Sequence, residues 1–205
     1  MNLVHLDFPM PIITQRLYIR PPQIGDGAII NPAVVRSFDV LKLYMPWAQT
    51  LPSLEDSEEF VRLAAANWIL KKNDEPYLPL LIFEKSTMTF IGTTGWHHYN
   101  WDIPAFETGY WLQSDYHNQG FMTETMNAIV HFTFQVLQAN RLEIRCGIAN
   151  IRSKKLAERL GFQLEGTLTN HRLDPHTKVL SDTLIYARTN LDNLPTLDVS
   201  WGPSK

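Results

Sequence analysis

Residues 116–124 run Tyr116, His117, Asn118, Gln119, Gly120, Phe121, Met122, Thr123, Glu124. They join an apolar run at 108–112 to a segment where Met122, Met126, Ile129, Val130, Thr133 and Leu137 recur at helical spacing. That order reads as strand, short polar loop and helix, with Gly120 at the helix start. The first turn of a helix exposes unpaired N–H groups and carries partial positive charge. A glycine there lets an anion approach the backbone, and phosphates are the usual guests. The chemistry these residues suit is the holding of a cofactor's pyrophosphate. An ordinary strand-to-helix turn uses the same residues, so the elements around the loop must decide.

The chain has 205 residues, enough for one sizeable core. Hydrophobic residues make up 44% and charged residues 19%, the balance of a folded rather than a disordered chain. A formal charge of −3 argues against general affinity for nucleic-acid phosphates. The single cysteine, Cys146, excludes an internal disulfide and fits a reducing compartment. The first fifteen residues lack the pattern of a signal peptide, and no segment has the length of a membrane span, so the expected location is the cytoplasm.

In order, residues 1–13 read as an irregular lead-in, 14–190 as a single domain and 191–205 as a loose tail. Residues 16–20 alternate as a first strand, stopped by Pro21 and Pro22. Asp26 is the cap of a helix to about residue 38, with Pro32 a point that could set its start later. Ser53 opens a stronger helix, acidic early at Asp56 and Glu59 and basic late at Lys71 and Lys72, with Phe60, Leu63, Ala64, Asn67, Trp68 and Lys71 on one face. Further strands are expected at 77–84, 90–99, 106–112, 142–146, 162–168 and 179–188. Pro79 implies a late start or an edge position for the first of these. A polar loop over 171–178 joins the last two. The helix after Gly120 is expected to end near residues 139–140. Asn150 caps the last helix, which turns Leu156, Ala157 and Leu160 inward and stops at Gly161.

Three stretches carry a resemblance. His117, Gly120 and Met122, following Glu107 to Leu112, resemble the acetyl-CoA loop of the GNAT N-acetyltransferases, whose general form is Gln/Arg-x-x-Gly-x-Gly/Ala. Asn150 with Ser153, then Leu160-Gly161-Phe162 and Glu165-Gly166, resemble the landmarks of the RimJ/RimL-like ribosomal-protein acetyltransferases. The Thr14 to Arg20 strand and Met45-Pro46-Trp47 fit the same branch. The resemblance spans about residues 14–190. His117, Asn118 and Met122 depart from the usual loop residues, but none prevents backbone donation. It implies an α/β (α+β) GNAT fold: a twisted, mixed, mostly antiparallel sheet of about six to seven strands flanked by helices.

It also implies roles. The loop residues His117, Asn118, Gln119, Gly120, Phe121, Met122 and Thr123 would hold acetyl-CoA, with donors from Gln119 to Thr123. A bulge in the 106–112 strand, eased by Gly109, would turn the amides of Tyr110, Trp111 and Leu112 toward the thioester and pantetheine. Asn150 would bond the pantetheine arm and also cap its helix. A tyrosine that many GNATs use as thiolate acid is replaced by Ala157, leaving Ser153 as the candidate acid or as a helix cap only. Glu107 is the candidate base or an outward-pointing acid, with His171 or water in reserve. No metal is implied: His97 and His98, adjacent on a strand, point to opposite faces. His131 reads as partly exposed or satisfied in the core, and Cys146 as a small core residue. Trp47 and Trp68 are core residues or acceptor contacts. Arg152, Lys154 and Lys155 form a solvated face or flank a phosphate. The implied activity is direct acetyl transfer to a primary amine, foremost a protein N-terminal α-amine. A polyamine or drug acetyltransferase is a rival, as is a non-catalytic acyl-CoA-binding module. No direct nucleic-acid or membrane partner is implied, and monomer and homodimer both stay open.

Overall fold

The computed structural model describes residues 7–71 and 77–202. Residues 1–6 of the expected lead-in, Lys72 of the expected basic pair and residues 203–205 of the tail lie outside the described residues. The strands are β1 (Ile12–Ile13), β2 (Leu17–Arg20), β3 (Tyr77–Glu84), β4 (Thr89–Asn100), β5 (Ala105–Leu112), β6 (Arg141–Gly147), β7 (Gln163–Leu173), β8 (Leu180–Arg188) and β9 (Ser200–Trp201). They form one sheet in the order β7-β8-β6-β5-β4-β3-β2-β1-β9. Every neighbouring pair is antiparallel except β5 and β6. The sheet is thus the expected mixed, mostly antiparallel one, with two strands more than expected. The additions are β1 and β9, two residues each, which pair with one another. Part of the expected irregular lead-in and part of the expected loose tail are therefore tied together at one sheet edge.

Four helices cover the two faces of the sheet. Helix α1 (Gly27–Tyr44) and helix α2 (Leu54–Leu70) bury Ile30, Val34, Leu41 and Val61 against Leu81, Phe83, Phe90 and Trp111. Helix α3 (Phe121–Gln135) and helix α4 (Ile151–Arg159) bury Met126, Ile129, Phe132, Leu156 and Ala157 against Leu80, Ile82, Ile91 and Trp96. Strand β3 sends alternate residues into both cores, so it is a continuous apolar run rather than an alternating one. Pro79 is tolerated there because β2 reaches only residues Leu81 to Glu84 of β3. The Pro79 carbonyl accepts the Trp68 indole N–H at 2.6 Å on the edge that β2 leaves open.

Several boundaries differ from expectation. Helix α1 begins at Gly27, runs through Pro32 and continues to Tyr44; Pro46 then holds Met45 in an extended conformation and ends it. Asp26 precedes it without capping it, because its carboxylate is bound by Arg20 (2.6 and 2.8 Å) and the Gln23 amide (2.6 Å). Ser53 and Asp56 form the reciprocal cap that starts α2. The buried face of α2 is Ser57, Val61 and Ala64, while Leu63 is exposed. Helix α3 ends at Gln135, one turn early. Strand β7 extends through His171, so the loop to β8 is shorter than expected.

Candidate active site

The loop before α3 is a single 3₁₀ turn, Ser114–Tyr116, followed by two residues in left-handed conformations, Asn118 (φ 60°) and Gly120 (φ 83°). Asparagine is one of the few side chains that tolerate this region, so Asn118 serves where glycine is usual. The first backbone bond of the helix is Glu124 N–H to Gly120 O at 3.0 Å. The amides of residues 118–123 have no acceptor among the described residues. Three guanidinium groups border them. Arg16 donates to Gln119 O (3.0 Å) and to Glu124 (2.6 Å). Arg159 donates to Thr123 Oγ1 (3.0 Å). Arg152 donates to His117 Nδ1 (3.1 Å), which leaves the ring proton on Nε2 to donate to Leu112 O (3.1 Å). The loop therefore presents consecutive free donors within a cationic border, a fit for a pyrophosphate. Arg152 is the member of the short basic group that stands beside the loop.

Strands β5 and β6 pair only at residues 105–107 with 141–143 and then part, β6 continuing along β8. No bulge interrupts β5 against β4 between Leu112 and Glu107, contrary to expectation. Free amides arise from the parting of the two strands. Gln113 N–H bonds back to Ile91 O at 2.8 Å, and alternation then turns the Tyr110 and Leu112 backbone groups toward the gap and those of Trp111 toward β4. Gly109 has a different use from the one expected: a Cβ there would lie 2.9 Å from His97 Nε2.

Across the gap stands the start of α4. Asn150 caps it, accepting Ser153 N–H at 3.1 Å. Ser153 is thus the capped residue, and its Oγ is free to pair with Tyr110 Oη at 2.8 Å. Burial pushes the Tyr110 phenol up from its ordinary value, so it keeps its proton at neutral pH. The side chain of Tyr110, expected only as a backbone donor, is thereby a member of the site. Cys146 is buried beside them, and burial raises its thiol pKa.

A cavity of about 960 Å³ runs from this gap to the loop between α1 and α2 and to the turn after β7. Tyr110, Asn150 and Ser153 line one end, Met45, Trp47 and Phe60 another, and Arg172, Asp174 and Pro175 a third. Trp47 is 53% exposed and stands 6.2 Å from the Trp111 ring. Trp68 is core, stacked edge-on to Trp96 and absent from the cavity wall.

Glu107 lines the cavity and does not point to open solvent. It is ion-paired with Arg145 at 3.3 Å, and its other oxygen is 3.6 Å from His97 Nδ1. Burial raises its pKa against the opposing pull of Arg145. His97 is lowered to about 4, chiefly by burial and then by His98 and Arg145. The expectation that His97 and His98 diverge fails. Pairing of β4 with β5 shifts register after His97, His98 takes φ 48°, and the two rings lie 5.1 Å apart. His171 bonds Thr183 at 3.2 Å and lines an adjoining cavity of about 650 Å³. His131 Nε2 is buried with no partner among the described residues.

The family model described as "Acetyltransferase (GNAT) domain" matches residues 16–163. The chain belongs to the GNAT acetyltransferase family. As a GNAT domain it is an N-acetyltransferase, and GNAT enzymes use acetyl-CoA and need no metal. Among characterised relatives it is 28% identical over 128 residues to ribosomal-protein-serine acetyltransferase of Escherichia coli (strain K12), covering 62% of this chain and 68% of that one. It is 28% identical over 178 residues to the uncharacterized N-acetyltransferase YoaA of Bacillus subtilis (strain 168), covering 86% and 96%. Among solved structures it is similar to the RimL ribosomal L7/L12 alpha-N-protein acetyltransferase in complex with coenzyme A, with a TM-score of 0.79, 21% identity and coverage of 91% and 100%. It is also similar to the microcin C7 self-immunity acetyltransferase MccE in complex with acetyl-CoA and AMP, with a TM-score of 0.77, 20% identity and coverage of 86% and 93%. At those identities the structural likeness establishes the fold.

Within this GNAT domain, the residues singled out from sequence fall into two groups. Asn150, Ser153, Tyr110, Trp111 and Glu107 share the large cavity. Residues His117 to Thr123 lie beside it at the α3 start, joined to it through the His117 bond to Leu112. Arg16 and Arg159 were not anticipated, because each reaches the loop from a distant element. None of the helices among the described residues is long and apolar enough to cross a membrane.

Proposed function

We propose that this GNAT domain transfers acetyl from acetyl-CoA to the α-amine at a protein N-terminus, in the manner of a ribosomal-protein acetyltransferase acting in the cytoplasm. The observation that carries the acceptor class is the shape of the large cavity. It opens between the early helices and the last strand pair, and its wall mixes acids (Asp56, Glu107, Asp174) with bases (Arg145, Arg172). A polyamine site would be narrow and acidic; an extended peptide needs an open groove of mixed polarity. The E. coli relative's name supports the same class.

The residues divide the work. Amides 118–123, with Arg152 and Arg159 beside them, hold the donor's pyrophosphate, and the gap-facing amides of Tyr110 and Leu112 take the pantetheine arm and the thioester oxygen. Acetyl-CoA supplies the activated acyl group. Tyr110 Oη holds a proton next to Ser153 Oγ, so the hydroxyl pair is placed to protonate the leaving sulfur. Glu107 takes the proton of the incoming amine, directly or through water. An α-amine has a reference pKa of about 7.7–8.0, so a weak base suffices, whereas a lysine amine near ~10.4 asks for more. The aromatic wall of Trp47 and Trp111 excludes water from the acceptor side.

The test is an acceptor panel. Peptides with free N-termini, the same peptides N-blocked but carrying lysine, and spermidine are each supplied with acetyl-CoA, and thiol release and peptide mass are followed. Acetylation confined to free N-termini is expected. Turnover on spermidine with none on peptides overturns the peptide assignment.

A further inference from the structure

We propose that His97, His98 and Glu107 form a site for a divalent transition-metal ion of the zinc type, and that filling it blocks the acceptor side of the cavity. The three side chains offer two imidazole nitrogens and one carboxylate oxygen, all within 4.8 Å of one another. They come together because β4 is irregular. His97 pairs with Glu107 in register, but the next pair is Asn100 with Ala105, and His98 between them takes φ 48°. An unbroken strand sends neighbours to opposite faces. A left-handed non-glycine residue is strained, and such strain persists where the surrounding structure enforces it. Gly109 contributes by leaving room for the His97 ring, which a Cβ would meet at 2.9 Å.

The carboxylate is already oriented as a ligand is. Glu107 Oε2 faces Arg145 Nε at 3.3 Å, and Arg145 is held in turn by Glu143 at 2.8 Å. Glu107 Oε1 is turned to His97 at 3.6 Å. One oxygen is thus fixed by neighbours while the other is available, the usual arrangement around a coordinating carboxylate. Two imidazoles and a carboxylate suit zinc or cobalt with a fourth position open to water, and the large cavity supplies that opening. Tetrahedral ligand atoms sit roughly 3.4 Å apart at zinc bond lengths, so the widest separation in the cluster must close by up to about 1.4 Å. His98, the exposed member, has the freedom to do so.

GNAT transfer needs no metal, so an ion here acts as an inhibitor. That consequence rests on the proposed role of Glu107: a bound ion takes the oxygen that would receive the amine's proton, while the loop at 118–123 lies elsewhere. The test uses the full chain stripped of metal with a chelator. Cobalt(II) is titrated in and its visible ligand-field absorption recorded, then zinc is added in competition. Saturable absorption at one ion per chain is expected. His98→Ala should weaken it by about tenfold or more, with circular dichroism confirming the fold, and His176→Ala, in the exposed turn between β7 and β8 and outside the cluster, should not change it. Absence of the band, or an equal band in His98→Ala, overturns the site. In turnover, zinc should lower kcat/KM for the acceptor and leave the acetyl-CoA Kd unchanged. A band lost in His98→Ala with turnover untouched by zinc would keep the site, and would remove both the blocking and Glu107's part in the transfer.

Discussion

The loop at residues 117–123, to which we assign the donor, and the wall of His97, His98 and Glu107, on the acceptor side of the cavity, are held in different ways. The loop is fastened by three arginines from two parts of the chain, Arg16 before β2 and Arg152 and Arg159 on α4. What it offers is backbone amides, whose direction follows from the path of the chain. The wall is held by a local break in β4 and by the shared ion pairs of Glu107, Arg145 and Glu143. What it offers is side chains, whose direction follows from sheet register. A change in the loop should therefore alter how the donor is held, and a change in the wall should alter which amine is accepted.

The seam between the two regions is the Ser153–Tyr110 hydroxyl pair, and the largest effect is expected there. Ser153→Ala should lower kcat by roughly 10²-fold, the lower range for loss of a general acid, with the acetyl-CoA Kd unchanged. Tyr110→Phe should do the same. The double variant should be little worse than either single one, because the two hydroxyls act as a unit. Wild-type turnover in both single variants would remove the pair from the chemistry and leave the acid to water.

Gly120→Val tests the loop alone. Gly120 sits at φ 83°, and a Cβ would come within 3.3 Å of Arg16 Nη2. A left-handed L-residue costs about 1–2 kcal/mol, and the new side chain also stands where an anion must approach. The acetyl-CoA Kd should rise by about tenfold or more, measured by calorimetry, while the acceptor KM stays put. Unchanged affinity would place the donor's phosphates away from this turn.

The same contrast explains what was legible in the sequence. Gly120 and Asn150 were readable because each obeys a rule operating within a few residues: glycine for a left-handed helix start, asparagine for a cap. The order of elements follows from apolar spacing, although only α4 buries a single stripe, while α3 is enclosed all round with residues 125–130 buried. Alternation along β4 predicts opposite faces for His97 and His98, and the register shift after His97 breaks that alternation. The break depends on how the turn at residues 101–104 returns the chain into β5, which periodicity does not encode. Tyr110 was read for its amide alone, because the meeting of its hydroxyl with Ser153 depends on α4 packing across the gap. The pairing of β1 with β9 was invisible for another reason. Two-residue strands carry no pattern, and the partners are nearly the whole chain apart. Helix α1 starts before Pro32 and runs past the expected end near residue 38, because Leu41 continues the buried stripe of Ile30 and Val34.

The smallest effect tests how far the loop is prebuilt. Glu124, in the first turn of α3, accepts from the Thr14 hydroxyl (2.6 Å), the Arg16 amide (3.0 Å) and the Arg16 guanidinium (2.6 Å). Burial alone would raise its pKa, but these bonds outweigh burial and hold the carboxylate below its ordinary value. A depressed carboxylate stabilises the fold fully above its unfolded pKa of about 4.3, and that contribution is lost as pH falls through the lower folded value. Arg16 is 41% exposed, so solvent screening limits the ion pair to about 1 kcal/mol or less. Glu124→Gln should therefore lower the urea midpoint slightly at pH 7, and the gap to wild type should close in acid as the wild-type carboxylate is protonated. Arg16 also holds the Gln119 carbonyl, so the variant should bind acetyl-CoA more weakly than wild type but better than Gly120→Val. A stability gap that persists unchanged below pH 4 would mean that the carboxylate's charge contributes nothing. The loop would then owe its shape to Gly120 and Asn118 alone.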